Sequence, residues 1–321
     1  MLLYLWGITR CCCGAPVPDA YCLGGLAANP NDVIAQVDGY RNATDAWSSC
    51  AALPFARRLH AGAFTGGFGY AVGGQSTTAQ IDDHDEYAPV SDSWAARTAF
   101  PSPARNQLAA VGVSIDDAPK LFAFAGQHFS GVPNDHVRND EYDIVGDAWS
   151  SKADKPAPAL RAPAYAEVAG NIYSWGGFAG DGTTFGGSFR SDNDEYDPIG
   201  DAWSSRAELP APARDAMMGG GSIAGKGYAL GGRSAAPNSG VDTLDEYDPA
   251  GDAWTTRGPS PVPRCFIAAC SCESRLHGFG GNHLTESQTV NHQCYEPATD
   301  SWLTLESLPP FERTQSAAFA R

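Results

Sequence analysis

Nine cysteines, Cys11, Cys12, Cys13, Cys22, Cys50, Cys265, Cys270, Cys272 and Cys294, crowd the two ends of a 321-residue chain whose residues 51–264 contain none. If the two ends meet in space, these thiols can pair as disulfides that staple the junction, or form a thiol-rich patch toward a partner, and either use calls for an oxidising setting. Left free and buried in strands, they would instead behave as small apolar residues. The spacings decide neither the choice nor a connectivity. A metal reading draws on Cys270-Ser271-Cys272 and His292-Gln293-Cys294. Tetrahedral zinc needs ligands converging at about 2 Å, and these tripeptides fall on strands with another strand between them, so no metal or other cofactor is expected. The seven histidines are scattered and read as surface or structural residues. No nucleophile elbow, phosphate loop or His-Glu-x-x-His helix occurs, which leaves no standard hydrolase, nucleotide or zinc-protease machinery. One carboxylate stands apart. Six residues after a recurring arginine the chain reads Phe64, Val111, Glu167, Gly220, Cys270 and Phe319, so Glu167 is the candidate acid or base. With no second such group beside it, a solvated strand end near Gly170 is its expected role, and the chain reads as a binder rather than an enzyme.

These residues are positioned by a repeat. Residues 194–205 read Asp-Glu-Tyr-Asp-Pro-Ile-Gly-Asp-Ala-Trp-Ser-Ser, and variants recur six times with tyrosine and tryptophan seven apart: Tyr40 and Trp47, Tyr87 and Trp94, Tyr142 and Trp149, Tyr196 and Trp203, Tyr247 and Trp254, Tyr295 and Trp302. Successive tryptophans are separated by 47, 55, 54, 51 and 48 residues, long enough for a small multi-stranded unit and too long for a helical hairpin. Alternating apolar residues, such as Tyr70 and Val72, precede a glycine pair in five repeats and Ala125-Gly126 in the sixth, marking a strand that breaks into a loop. A strand ending in the tyrosine follows. Asp-Pro-x-Gly, as at residues 197–200, then makes a tight hairpin to the tryptophan strand. The aspartates two before each tryptophan read as hairpin residues, and the Asp-Glu pairs before four tyrosines as polar contacts of strands and blades. A fourth strand starts at Arg58, Arg105, Arg161, Arg214, Arg264 and Arg313; five residues on stand Ala63, Ala110, Ala166, Gly219, Ala269 and Ala318. Small side chains belong where sheets converge on one axis, so this strand is innermost and the tryptophan strand outermost.

Composition bounds the rest. Glycines number 36 and prolines 23 without a collagen period, which points to many turns and an all-β chain. A net charge of −16 with four lysines opposes phosphate-backbone binding, so nucleic acid is not expected as a partner. Membrane insertion is not expected either. The apolar run at residues 1–8 lacks a basic start and is far too short to span a bilayer. Asn42-Ala43-Thr44 matches a glycosylation sequon, meaningful only in a secreted, glycosylated chain.

Hydrophobic-Gly-Gly, tyrosine, tryptophan and a Pro-Arg strand together resemble the kelch repeat, over residues 20–321. The resemblance implies a six-bladed β-propeller of four-stranded antiparallel blades, with residues 1–19 as an N-terminal extension. It does not fix a function, since kelch propellers include peptide-binding modules, sugar-processing enzymes such as sialic acid mutarotase, and seven-bladed copper enzymes. It further implies that ligands are met by the loop after the glycine pair and the residue after the strand-opening arginine. Those post-arginine residues are Leu59, Asn106, Ala162, Asp215, Cys265 and Thr314. The longest loops run through Gln127, His128, Phe129, His136 and Arg138, and through Phe178, Phe185, Phe189 and Arg190; Gln75, Arg233 and His283 follow other glycine pairs. Aromatic rings beside arginine suit a peptide anchor or glycan stacking. The expected function is therefore recognition of a protein or glycan, with a structural or adhesive role in a virion or cell-surface assembly as a compatible setting, extracellular before cytoplasmic. A sugar mutarotase or epimerase using Glu167 is the alternative.

Ring closure admits two readings. Residues 20–53 supply three strands of a first blade, and residues 313–321 form an inner strand lacking a blade. Residues 10–15, Arg10-Cys11-Cys12-Cys13-Gly14-Ala15, fit the same template. Leu308-Pro309 precedes the C-terminal strand as Leu209-Pro210 precedes its counterpart, which favours C-terminal closure.

Overall fold

The computed structural model describes residues 17–321 apart from 28–31, 130–132, 181–185, 216–218, 236–239, 283–288 and 310–313. Six four-stranded antiparallel sheets form the blades of a propeller. Blade 2 shows the plan: Ala61–Thr65, Phe68–Val72, His84–Ala88 and Ser93–Ala96 run from the channel outward, each paired with the next. Blade 1 is closed by the far end of the chain, because Ala317–Ala320 pairs with Ala20–Leu26 from Leu23↔Ala317 to Ala20↔Ala320. The C-terminal strand therefore fills the innermost slot of blade 1, and residues 10–15 lie outside the described residues.

Both faces of each inner sheet are buried, since successive side chains point to opposite sides and each side meets a neighbouring blade. One core cluster joins Ala61, Tyr70 and Val72 of blade 2 to Ala110, Leu121 and Tyr142 of blade 3. The cluster between blades 1 and 2 holds Tyr21, Val37 and Tyr87 together with Ala317 and Phe319 of the closing strand.

The repeated motif welds these blades. Each tyrosine faces its tryptophan across the outer hairpin, as in Tyr87↔Trp94. In all six repeats the tyrosine hydroxyl donates to the aspartate two before the tryptophan, at 2.5–2.8 Å. That carboxylate also accepts a backbone N–H from the preceding blade, at 2.7–2.9 Å. The tryptophan indole N–H donates to the carbonyl of the very residue whose N–H the aspartate holds, at 2.8–3.1 Å. The aspartates are hairpin residues as expected, with φ of 45–49°, but their carboxylates bind blade to blade.

A second clasp lies under the glycine pair. Arg105, fully buried, donates to Asp140 at 2.6 Å and to the carbonyl of Ala125 at 2.8 Å. Arg214 pairs with Asp245 in the same way. In blade 2 this place belongs to Arg57, paired with Asp85, and not to Arg58; the tandem arginines hid a one-residue shift. In blade 4 the equivalent backbone position is the buried Leu160, and Lys155 reaches the carboxylate of Asp194 instead, so Arg161 is free for other work. Blade 6 keeps Arg264 but offers the amide of Gln293 at 2.8 Å; burial lowers its pKa to about 10, as it does that of Arg105 beside Asp140. Arg313 lies outside the described residues. The glycines above are required: at Gly74, with φ of 103°, a Cβ would sit 2.8 Å from the carbonyl oxygen of Arg58.

Gly62, Ala63, Ala110, Tyr165, Ala166, Gly220, Ala269 and Ala318 line the channel, and Ala63, Ala110 and Ala166 also pack into the inter-blade core. The strand is innermost as expected, with one large residue, Tyr165, among the small ones.

Two outcomes follow from this construction. Removing residues 317–321 takes away the innermost strand of blade 1 and leaves the inner edge of Ala20 to Leu23 unpaired, so the melting temperature should collapse. Phe319→Ala alone should cost about 3 kcal/mol in urea unfolding, within the usual range for a buried phenylalanine. An unchanged melting temperature in the truncated protein would mean that another segment fills the slot. The second outcome concerns acid. Burial lowers the pKa of His60 and His292 to about 3, and of His84 and His277 to about 4. The unfolded chain takes up protons near pH 6.5 while the folded one does not, so stability is full above that value and falls as pH drops toward 4. The slope is at most about 1.4 kcal/mol per pH unit for each histidine. Urea midpoints at pH 7, 6 and 5 should fall in that order; a flat series would contradict it.

Candidate recognition face

The inner strands start at one mouth of the channel, and six antiparallel bridges ring it. Each joins the residue after a glycine pair to the one that precedes the channel wall: Arg58↔Gln75, Asn106↔Gln127, Arg161↔Phe178, Asp215↔Arg233 as strand partners, Cys265↔Asn282 and Leu26↔Thr314. The next residue inward is left-handed in five described blades, Leu59, Gln107, Ala162, Phe266 and Gln315, with φ of 53–59°. Backbone hydrogen bonds run between them from blade to blade, from Leu59 N–H to the Gln315 carbonyl, Gln107 to Leu59 and Ala162 to Gln107, at 2.7–2.9 Å. Leu59 and Ala162 thus face the channel mouth itself, one step inside the bridge positions held by Arg58 and Arg161.

On this scaffold the expected site residues fall into two groups. Over blades 2 and 3, the Asn106 amide donates to Gln75 Oε1 at 3.1 Å and Gln107 to Gln127 Oε1 at 3.4 Å. Gln80 donates to the Gln127 carbonyl and accepts the Phe129 N–H, both at 2.6 Å, which holds Phe129 in place with 51% of its surface exposed. His128 is tied to the Ala104 carbonyl at 2.9 Å. Over blades 4 and 5, Arg233 pairs with the buried Asp215 at 2.5 Å and lies over the Phe189 ring. Arg161 pairs with Asp135 at 3.0 Å and lies over Phe178. Asp135 also accepts the Gly180 N–H at 2.6 Å, so the loops of blades 3 and 4 are bolted together.

Other expected residues do different work. Phe178 is buried and seats a guanidinium instead of offering itself as an anchor. Arg138 is spent on Asp140 and the Ser102 carbonyl, and Arg190 on Asp192. Phe185 and His283 lie outside the described residues. Arg58, Gln80, Asp135, Arg161 and Gln315 were missed; the tandem Arg57-Arg58 and the Leu160-Arg161 pair carry the signal that would have found the two arginines.

Tyr165 divides the channel. Above it lies a cavity of about 90 Å³ at the mouth, and below it one of about 300 Å³ opening on the opposite face. Burial pushes its hydroxyl up to about 12, against hydrogen bonds from the backbone of Ala110 and Gly62. Glu167 lines the lower cavity, away from the loops, and accepts the Gly170 N–H at 2.6 Å. It closes a turn, as its expected strand-end role requires.

Cys265, Cys270, Cys272 and Cys294 are buried free thiols, while Cys22 is buried and Cys50 half-buried. Burial raises the thiols of Cys265 and Cys294 to about 12 and that of Cys272 to about 11. No disulfide joins the described cysteines; Cys11, Cys12 and Cys13 lie outside them. Cys294 contacts His277, which bonds to His292 at 2.9 Å, and among the described residues no group of three or more potential ligands could hold a metal. The Asn42 amide of the sequon donates to Cys272 Sγ at 3.1 Å.

No family model matches the chain. Mouse Kelch-like protein 35 is 28% identical over 205 residues, which cover 62% of this chain and 32% of the relative. Kelch-like protein 25 of Xenopus tropicalis is 27% identical over 273 residues, covering 81% of this chain and 42% of the relative. The chain thus spans about a third to two-fifths of these relatives. The solved structure of YjhT shares the fold with a TM-score of 0.67 at 16% identity, over 83% of this chain and 88% of its own. Six repeats, six closed four-stranded blades and these relatives together make the chain a kelch-repeat, six-bladed β-propeller.

Proposed function

We propose that this propeller is a non-enzymatic recognition module that binds a protein partner at the loop-bearing mouth. One observation carries the reading: non-repeating side chains on this face are bonded to one another across blades 2–5, with Phe129 held outward by Gln80 and two arginines seated on aromatic rings. A surface ordered before binding loses less entropy on association, and exposed aromatic and arginine side chains are the usual energetic anchors. The kelch-like relatives support a protein partner. The sugar-enzyme alternative has less to stand on, because Glu167 opens on the far face and is engaged by Gly170.

A partner identified by crosslinking and mass spectrometry, then titrated by calorimetry, tests this reading. Phe129→Ala should weaken it by about 2 kcal/mol, roughly 30-fold, with unchanged melting temperature; Arg233→Ala should weaken it as much and also lower the melting temperature, because the buried Asp215 loses its cation. Glycan arrays run beside it separate a glycan ligand from a protein one. Anomer exchange of free aldoses or sialic acids, seen by NMR and lost in Glu167→Gln, would overturn it in favour of the enzyme.

A further inference from the structure

Arg58 stands apart from the other arginines of the loop-bearing mouth. Arg161 and Arg233 each hold a carboxylate, Asp135 and Asp215, and the adjacent Arg57 is taken up by Asp85. Among the described residues no carboxylate pairs with Arg58. Its guanidinium makes one hydrogen bond, from Nη1 to Gln315 Oε1 at 3.3 Å. Nε is enclosed, whereas Nη2 is neither enclosed nor bonded. The side chain is half-buried; burial lowers its pKa, and no neighbouring charge offsets the effect. A cation drawn partly out of water for one long hydrogen bond is a cost to the fold.

The groups beside it are donors too. Gln315 turns its oxygen to Arg58, since a guanidinium only donates, and this leaves its NH₂ group unpaired at the edge of the mouth cavity. Gln75, bridged to Arg58 across the strands, spends its oxygen on the Asn106 amide at 3.1 Å, and its NH₂ group makes no bond. Both glutamines are half-buried, not enclosed. The backbone has nothing to add. Arg58 and Gln75 exchange N–H and carbonyl, and the Leu59 N–H goes to the Gln315 carbonyl, at 2.9–3.0 Å.

We propose that Arg58, flanked by the amide groups of Gln75 and Gln315, receives the carboxylate of one aspartate or glutamate side chain of the protein partner. The inference rests on the protein-recognition reading and deepens it. A carboxylate only accepts and carries one negative charge, so it meets a row of donors with one positive charge, and its two oxygens suit the planar guanidinium. A chain-terminal carboxylate fits less well, because such ends are captured by unpaired backbone N–H groups, and here those are bonded. A phosphate brings nearly two charges to a site holding one. Arg161 and Arg233 do not compete for the role, as each is neutralised within the chain.

The probes are N-acetylglutamate N-methylamide, the glutamine compound of the same shape, N-acetylalanine as a chain-terminal carboxylate, and methyl phosphate. Each is titrated into the whole chain carrying ¹³C-labelled arginine and ¹⁵N-labelled glutamine. The Arg58 Cζ resonance is assigned by its loss in Arg58→Asn, which copies the residue that blade 3 holds at the same bridge, Asn106. The glutamate compound should shift Arg58 Cζ saturably and bind about ten-fold more tightly than the glutamine compound, as a hydrogen bond to a charged group allows. In Arg58→Asn, read by the side-chain amides of Gln75 and Gln315, its affinity should fall by about the same factor. The melting temperature of Arg58→Asn should stay level or rise, because no carboxylate is orphaned, whereas Arg57→Asn, which orphans Asp85, should melt clearly lower. No saturable shift, equal binding of the glutamine compound, or equal or tighter binding of N-acetylalanine or methyl phosphate would overturn the proposal. So would an Arg58→Asn protein that melts as low as Arg57→Asn. Partner titration separates the two readings. Capture weakened by Phe129→Ala but untouched by Arg58→Asn leaves the recognition module and removes the carboxylate site. Selective binding of the glutamate compound in a protein that captures no partner keeps the site and removes the recognition module.

Discussion

The propeller depends on one clamp made six times. A tyrosine hydroxyl and a neighbouring blade's backbone N–H meet on one aspartate, and the tryptophan indole returns a hydrogen bond to the same neighbouring residue. A single four-stranded blade has two apolar faces and nothing of its own to cover them. The clamp sets the spacing and angle at which the next blade covers each face, and its polar atoms satisfy one another at the wet outer edge. The last clamp, from Asp45 and Trp47 to Glu306, joins the two ends of the chain, so closure repeats the bond used five times before.

Nearer the axis, the buried cations do related work under harsher conditions. A guanidinium such as Arg105 is worth burying only because a carboxylate and two carbonyls receive it; alone it would be among the costliest groups in the core. The exceptions show that receiving the buried cation with enough acceptors matters more than residue identity. Blade 4 brings Lys155 to Asp194 from a different point of the backbone, while blade 6 satisfies Arg264 with an amide and two carbonyls. Because Lys155 has taken over this duty, Arg161 can turn outward to Asp135 and lock the loop of blade 3 to that of blade 4. A structural substitution in the core thereby becomes a feature of the recognition face.

The two faces follow different rules. The hairpin face repeats, since every turn must present its aspartate to the adjacent blade. The loop face does not repeat, and its side chains are ordered by contacts with each other. Tyr165, the one large residue in a ring of small ones, separates the mouth from the lower cavity and keeps Glu167 apart from the loops.

The sequence alone determined the number of blades and the order of strands within them, because tyrosine, tryptophan, aspartate and the glycine pair are demanded by local geometry at every repeat; it favoured C-terminal closure over residues 10–15, and the pairing of Ala317–Ala320 with Ala20–Leu26 decided it. Strand register on the inner edge was not legible. Arg57 and Arg58 are chemically identical, and only the fit of a guanidinium onto Asp85 chooses between them. Period-two patterning likewise could not say that Tyr165 reaches into the channel to the backbone of Gly62 and Ala110, since both sides of an inner strand are enclosed. The loop residues were legible by type and position. Which of them stand free was decided by partners distant in sequence: Asp140 engages Arg138, Arg161 covers Phe178, and Gln80 holds out Phe129. The cysteines were ambiguous for the same reason, as burial at the junction of the first and last blades, which raises the pKa of Cys270, Cys272 and Cys294 and leaves these three as free thiols, arises only when the ring closes.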